Sequence, residues 1–360
     1  MSTVEAVQLD EAKLEAFMGK VLEDLSGTMT TFFCSIGDRL GLFRNLAEHG
    51  PATSAELAGR AEINERYASE WLRGLAAAGY LDHQADTGRY ALPPEHAEAL
   101  AREGGPMFVG GPYEMLPGMA RTFDGLVEAF RRGGGIAQDA YDPTIWEGMQ
   151  RFTDTWFENQ LLQEWLPTVP HVRERLEQGA LLADVGCGSG RAVLKLAQTF
   201  PKSTFVGYDA FEGQLSRAVA NAAKAGVEDR VRFELLDVAK GLPEPYDVIT
   251  TFDVIHDSVD PLGLITAIRR GTKDDGSYPM LEINCADRHE DNVGPLAAMF
   301  YGFSVFYCMT TSLANGGAGL GTCGMPEAKV RELCTEAGFG TVTRLPVDNP
   351  FNVLYEATPR

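Results

Sequence analysis

LLADVGCGSGRAV, residues 181–193, reads as a buried strand that ends on Asp184 and turns through three glycines into a helix. Leu181 to Val185 is an apolar run around one acid, the pattern of a strand covered on both faces. Glycine at 186, 188 and 190 allows a tight turn and a close approach of backbone to ligand, which a side chain would block. The spacing is GxGxG. A dinucleotide fingerprint, GxGxxG, would need glycine where Arg191 stands, so a nicotinamide enzyme is disfavoured. The sequence contains no GxxxxGK[ST], so a nucleotide phosphate cradle is unsupported as well.

Downstream, strands and helices alternate. TFVGYD (204–209), VRFELLD (231–237), YDVITTFD (246–253) and YPMLEIN (278–284) read as strands, with two closing strands near TVTRL and FNVLYEA. Between them the periodicity predicts helices near 213–225, 261–270 and 327–338; in the first helix, after the glycine turn, Val193, Leu196, Ala197 and Phe200 share one face. Such alternation implies an α/β domain built on a mostly parallel, doubly wound, seven-stranded sheet. The last two strands are too close for a crossover helix and should form an antiparallel edge hairpin.

Upstream, Thr53 and Glu56 have capping-box spacing before SAELAGRA, and Ile63, Tyr67, Trp71 and Leu75 recur at four-residue steps. YLDHQADTGRYAL then offers two short strands around Asp86-Thr87-Gly88. Helix-turn-helix plus hairpin makes a winged helix. The expected boundaries are 1–103 for a mainly helical winged-helix dimerisation domain, 104–178 for a glycine-punctuated helical connector and lid, and 179–360 for the α/β domain.

Charge argues against nucleic acid as a partner. The chain has 31 basic and 51 acidic residues, a net charge of −20. From Pro51 to Leu100, four arginines face eight acids, whereas a DNA reader needs a basic face. Six scattered cysteines without CxxC, and an acidic N-terminus, fit reduced thiols in a cytoplasmic protein. From Asn292 to Pro326 there is no charged residue, and Leu296–Leu313 is apolar enough to suggest a membrane span. Ser304, Thr310, Thr311 and Ser312 interrupt it and a glycine loop follows, so an internal helix walling an apolar pocket is expected instead, with no membrane partner.

The acid followed by GxGxG, with further acids at later strand ends, resembles the class I S-adenosylmethionine-dependent methyltransferases and their Rossmann-like fold. That resemblance implies S-adenosyl-L-methionine as cofactor. Asp184, Gly186, Gly188 and Gly190 would cradle it; Asp209, with Ala210, would take the ribose hydroxyls; Asp237, with Val238, would meet the adenine; Phe252 and Asp253 would line the region near the methyl group. For Asp209 and Asp237 the alternative is a helix cap, a common role for an acid at a strand end.

With the winged helix included, the whole chain is similar to two-domain small-molecule O-methyltransferases of the plant caffeate and bacterial natural-product types. The resemblance implies a homodimer and methyl transfer to a hydroxyl of an aromatic or natural-product acceptor. In that family a histidine–aspartate pair follows the fourth strand, and the histidine is the general base. Here the pair is His256-Asp257, and Glu282, ending the fifth strand, matches a glutamate that steers the base; Ser258 stands where the family commonly has tryptophan. A structural histidine at a helix start and a surface acid are the competing readings of His256 and Glu282. A neutral hydroxyl is a poor nucleophile until deprotonated, which is the chemical need such a histidine meets.

His256, Asp257 and His289 also offer two histidines and a carboxylate, a ferrous-iron set, as in a metal-assisted C-methyltransferase. His289 lies among four charges, in ADRHEDN, and no metal is expected. Trp146, Trp156, Phe300, Phe303 and Tyr307 are the candidate walls of an acceptor pocket, although core packing accounts for aromatic stripes equally well. A cofactor-binding sensor or scaffold that no longer methylates is the remaining alternative.

Overall fold

The computed structural model describes residues 9–359. The first residues of the acidic N-terminus, taken above with the cysteines to fit a cytoplasmic protein, lie outside that range. The chain divides into two compact units. One comprises Met1–Pro117 with Thr144–Phe152, the other Gly118–Pro143 with Thr153–Arg360. Residues 104–178 are therefore shared between the units.

In the first unit a long helix, Glu11–Arg39, is capped by Asp10 and followed by helices Leu42–His49, Ser54–Ala61 and Glu65–Ala77. The capping box forms in both directions: Thr53 N–H donates to Glu56 Oε2 at 2.9 Å, and Glu56 N–H to Thr53 Oγ1 at 3.3 Å. The hairpin pairs β1 (Asp82–Gln84) with β2 (Arg89–Ala91), His83 opposite Tyr90. Leu42, Phe43, Leu57, Trp71, Leu72 and Leu75 form the core, with Trp71 Nε1–H donating to the Phe33 carbonyl at 2.8 Å. Tyr67 departs from the expected face and is 78% exposed. Four-residue steps drift by about 40° each around a helix. The buried stripe instead alternates steps of three and one, through Ala68, Trp71, Leu72 and Leu75. Thr144–Phe152 is tied into this unit by Arg151, whose guanidinium meets Asp38, Glu114 and Glu103, each at 2.8 Å.

The second unit holds the seven-stranded sheet. Its strands are β3 (Leu181–Val185), β4 (Thr204–Asp209), β5 (Val231–Leu235), β6 (Tyr246–Phe252), β7 (Thr272–Ile283), β8 (Thr341–Arg344) and β9 (Asn352–Thr358). Their order is β5-β4-β3-β6-β7-β9-β8; β3 to β7 run parallel, and β9 is antiparallel to both neighbours. Val206, Tyr208, Ile249, Ile265, Met280 and Tyr355 are among the fully covered residues of its core. After β3 the chain builds outward through β4 and β5, then returns to the other side of β3 for β6 and β7. The order reverses at β3/β6, and crevices for ligands open at the carboxyl ends of strands at such a point.

The uncharged stretch is one helix, Gly294–Ala314, 21 residues long with mean hydropathy 1.3, enough by length and composition to cross a membrane. Its Phe300, Ser304, Tyr307, Cys308, Thr310 and Ser312 are buried in the second unit. Ser312 Oγ–H donates to the Ser258 carbonyl at 2.9 Å, and Thr310 Oγ1 accepts from Ile136 N–H at 3.0 Å. Met299 and Tyr301 on the same helix remain exposed, so it is only partly buried in this unit.

Candidate active site

The glycine turn adopts the conformation its sequence requires. Gly186, Gly188 and Gly190 have φ of +73°, +52° and +80°, the left-handed region that penalises any Cβ. A Cβ on Gly186 would lie 2.5 Å from Val254, and one on Gly190 2.6 Å from Phe233; one on Gly188 would meet nothing within 4 Å. Gly186 and Gly190 thus serve close packing, while Gly188 turns its bare face to open space.

Asp209 locks this turn from the end of β4. Gly188 N–H donates to its Oδ2 at 2.9 Å and Phe211 N–H to its Oδ1 at 2.8 Å. Burial pushes its carboxyl above the ordinary range, against these backbone donors. Ala210 N–H is a further backbone partner, and since a carboxylate has about four lone-pair sites, Asp209 still has capacity for a ligand hydroxyl. Ala210, next to it, is exposed. Asp184 sits deeper, accepting from Thr250 Oγ1 at 2.8 Å, and burial, with Asp209 nearby, pushes its carboxyl up to about 7. Asp237 is exposed; it accepts from Ala239 N–H at 3.3 Å and lies 3.2 Å from Lys240 Nζ, so the cap reading describes its present contacts, and Val238 is buried in the core.

Beyond β6 the chain gathers an unusual set of groups. Asp253 takes a left-handed φ of +55° and both its oxygens accept from Asn352 Nδ2, at 2.8 and 2.9 Å. Its carboxyl is pushed up to about 7, chiefly by burial and opposed by the neighbouring His256. His256 is 3% exposed and meets a carboxylate at each ring nitrogen. Nδ1–H donates to Glu282 Oε2 at 2.7 Å, and Nε2 faces Asp257 Oδ1 at 3.1 Å. Glu282 is fully buried, its other oxygen accepting from Ile255 N–H at 2.9 Å. Asp257 Oδ1 is buried and meets no well-aligned donor, so its pairing with His256 is chiefly electrostatic. Burial of His256 disfavours its charged form, yet the two carboxylates outweigh it and hold the imidazole pKa well above the usual range.

The structure therefore brings Gly186, Gly188, Asp209, Val254, Asp253, His256, Asp257 and Glu282 to the carboxyl ends of adjacent strands. His289 is apart from them, 91% exposed beside Glu290. Among the candidate aromatic walls, Trp156 and Phe300 are buried and each approaches the Phe351 ring at 6.4 Å, while Tyr307 meets Tyr141 edge to face at 5.4 Å. Phe303 is half-buried, and Trp146 is buried within the first unit. Phe252 stacks on Trp165 at 5.8 Å. Sequence reasoning missed Asn352, Phe351 and Cys308. A lone polar residue opening the last strand was a weak signal for Asn352, and nothing local marked the other two.

Residues 28–102 match the family described as Rv2258c-like winged HTH domain, and residues 176–308 the family described as methyltransferase domain. The ubiquinone biosynthesis O-methyltransferase of Pseudomonas savastanoi pv. phaseolicola is 33% identical over 107 residues, 29% of this chain and 45% of that protein. The 27-O-demethylrifamycin SV methyltransferase of Amycolatopsis mediterranei is 38% identical over 88 residues, 24% of this chain and 32% of the relative. The chain spans less than half the length of these curated relatives. Solved structures are alike over nearly the whole chain: the mitomycin 7-O-methyltransferase MmcR, TM-score 0.71 at 18% identity, covers 97% of this chain and 100% of its own. Human N-acetylserotonin methyltransferase has TM-score 0.69 at 19% identity, with 99% of each chain covered. The chain thus carries a winged helix-turn-helix domain followed by a methyltransferase domain, on the two-domain fold of these solved methyltransferases.

Proposed function

We propose that this protein transfers a methyl group from S-adenosylmethionine to a hydroxyl of a small, partly aromatic acceptor, using His256 and Asp257 as the proton-accepting pair. The observation that carries the reading is the junction at Gly186. There the glycine turn, open at Gly188, packs directly on Val254, two residues from the buried His256. The similarity to a ubiquinone biosynthesis O-methyltransferase and to a 27-O-demethylrifamycin SV methyltransferase supports it.

When bound, the cofactor supplies an electrophilic methyl on a sulfonium. Gly188 would leave room for it, and Asp209 would hold it by accepting from its ribose hydroxyls. Phe252, held by Phe157 and Trp165, keeps the neighbouring wall apolar. Glu282 fixes the His256 ring through Nδ1, so Nε2 points at Asp257 and at whatever joins it. The acceptor hydroxyl would hydrogen-bond to Asp257 Oδ1 beside the ring and pass its proton to the pair as the new bond forms. Holding the nucleophile in line behind the methyl supplies much of the remaining acceleration.

The base must be unprotonated to act, and two carboxylates raise the pKa of His256. Turnover should therefore climb with pH through and above neutrality rather than level off in the ordinary histidine range. Asp257→Asn, which removes one of those charges, should move the ascending limb of the kcat–pH profile toward acid, with a lower plateau. A limb that stays in place would remove Asp257 from the pair.

A homodimer completes the proposal. On the helix Glu11–Arg39, Met18, Leu22, Leu25, Met29, Phe32 and Ile36 are exposed at alternating four- and three-residue spacing, the seam that a second helix covers. We assign a second copy of this chain as its occupant. Leu25→Asp with Met29→Asp puts charge on the seam and should convert a dimer to a monomer in light scattering at micromolar concentration; an unchanged mass would place the interface elsewhere.

A further inference from the structure

We propose that His256, Asp257 and Cys308 form a binding site for a thiophilic divalent cation of the zinc type, and that its occupation silences methyl transfer. One ligand atom from each residue lies within 4.8 Å of the others, so a small ion can draw all three together. Cys308 reaches the histidine because the helix Gly294–Ala314 widens to an i→i+5 turn over Ser304–Cys308. Such turns carry an extra residue and recur at functional sites.

Three observations favour a metal over a mere packing cluster. Asp257 Oδ1 is a buried acceptor that meets no well-aligned donor. His256 gives its other ring nitrogen to Glu282 at 2.7 Å, the carboxylate–histidine arrangement that orients metal-binding imidazoles. Cys308 Sγ accepts from Thr322 Oγ1 at 3.1 Å, a partner equally suited to a thiolate. His256 and Cys308 are thus each held from behind, and Asp257 Oδ1 keeps a lone pair to give beside its ion pair with His256. Nitrogen, oxygen and sulfur donors together select a borderline-soft ion and reject magnesium or calcium, and three protein ligands leave a fourth position open. Binding displaces the thiol proton and takes His256 Nε2 from the acceptor's proton. The inhibitory consequence rests on the proposed role of His256; the binding itself does not.

The test is an anaerobic titration of the full chain with cobalt(II), a spectroscopic stand-in for zinc, without cofactor or acceptor. One equivalent should produce a thiolate-to-metal charge-transfer band and tetrahedral ligand-field bands, both abolished by added zinc. Cys308→Ser should lose the charge-transfer band and bind about 100-fold more weakly or worse. Asp257→Asn should weaken binding while keeping the band. Cys285→Ser with Cys323→Ser, which removes the other nearby thiols, should leave the band intact. Absence of the band in the parent chain, or its survival in Cys308→Ser, overturns the site. Where turnover is measurable, stoichiometric zinc should abolish it in the parent chain, with recovery on chelation. Full turnover with zinc bound would sink the inhibitory half alone, and absence of any methyl transfer would leave the cobalt result to decide the site.

Discussion

Replacing His256 with alanine is expected to lower kcat by about 10²- to 10⁴-fold, the usual contribution of a positioned base, with little change in affinity for the demethylated cofactor. Asp209 and the glycine turn, which would carry that affinity, make no contact through the imidazole. The substitution has a second consequence. It leaves the fully buried Glu282 and the adjacent Asp257 without their shared cation, and stranding a buried charge costs about 3–5 kcal/mol. Loss of turnover in the single variant is therefore open to a trivial explanation by unfolding. The double variant His256→Ala/Glu282→Gln separates the two, because the neutral amide removes the stranded charge. It should regain most of the thermal stability and none of the turnover. If the double variant recovered activity along with stability, His256 would be a structural cation and the proton would go elsewhere.

The fold was legible in the sequence because its signals were local. The apolar runs ending in Asp184, Asp209 and Phe252 needed only the rule that doubly covered strands are continuously hydrophobic. The left-handed turn announced itself through glycine at 186, 188 and 190. The capping box at Thr53 and Glu56 depended on four consecutive residues and formed as read. What escaped was whatever depended on long-range placement. Asn352 holds Asp253 from 99 positions away, and Cys308 reaches His256 only because its helix widens by one residue at Ser304–Cys308. Tyr67 was misassigned for a related reason: a four-residue row is straight in the sequence but slides around the helix, and the unit's own core selected Ala68 in its place. The neighbours of His256 were partly legible as well, whereas their roles stay proposals. Glu282 was read as the residue that steers the ring and lies on Nδ1; that Asp257 sits on the other nitrogen depends on a short turn, Ile255–Asp257, whose geometry the sequence does not specify.

The second large effect is expected at Asp209. Asp209→Ala should raise the dissociation constant for S-adenosylhomocysteine at least about 100-fold by calorimetry, and it should do so by two routes that can be measured apart. The first is direct loss of the acceptors for the ribose hydroxyls, charge-assisted bonds of about 1.5–3 kcal/mol each. The second acts before any ligand arrives. Gly188 N–H and Phe211 N–H both end on this carboxylate; orphaning a buried donor costs about 1–3 kcal/mol, and these part-buried ones cost less to the extent that water replaces the carboxylate. Gly188 is also held at a positive φ that an unanchored glycine has no reason to keep. The ligand-free variant should consequently melt several degrees below the parent chain. Asp209→Asn divides the routes: its single carbonyl oxygen can serve one backbone donor, while its amide presents a donor where an acceptor is wanted. It should recover part of the melting temperature and little of the affinity. An Asn variant that bound as tightly as the parent would mean that Asp209 only pins the turn, and that the sugar is held by another group.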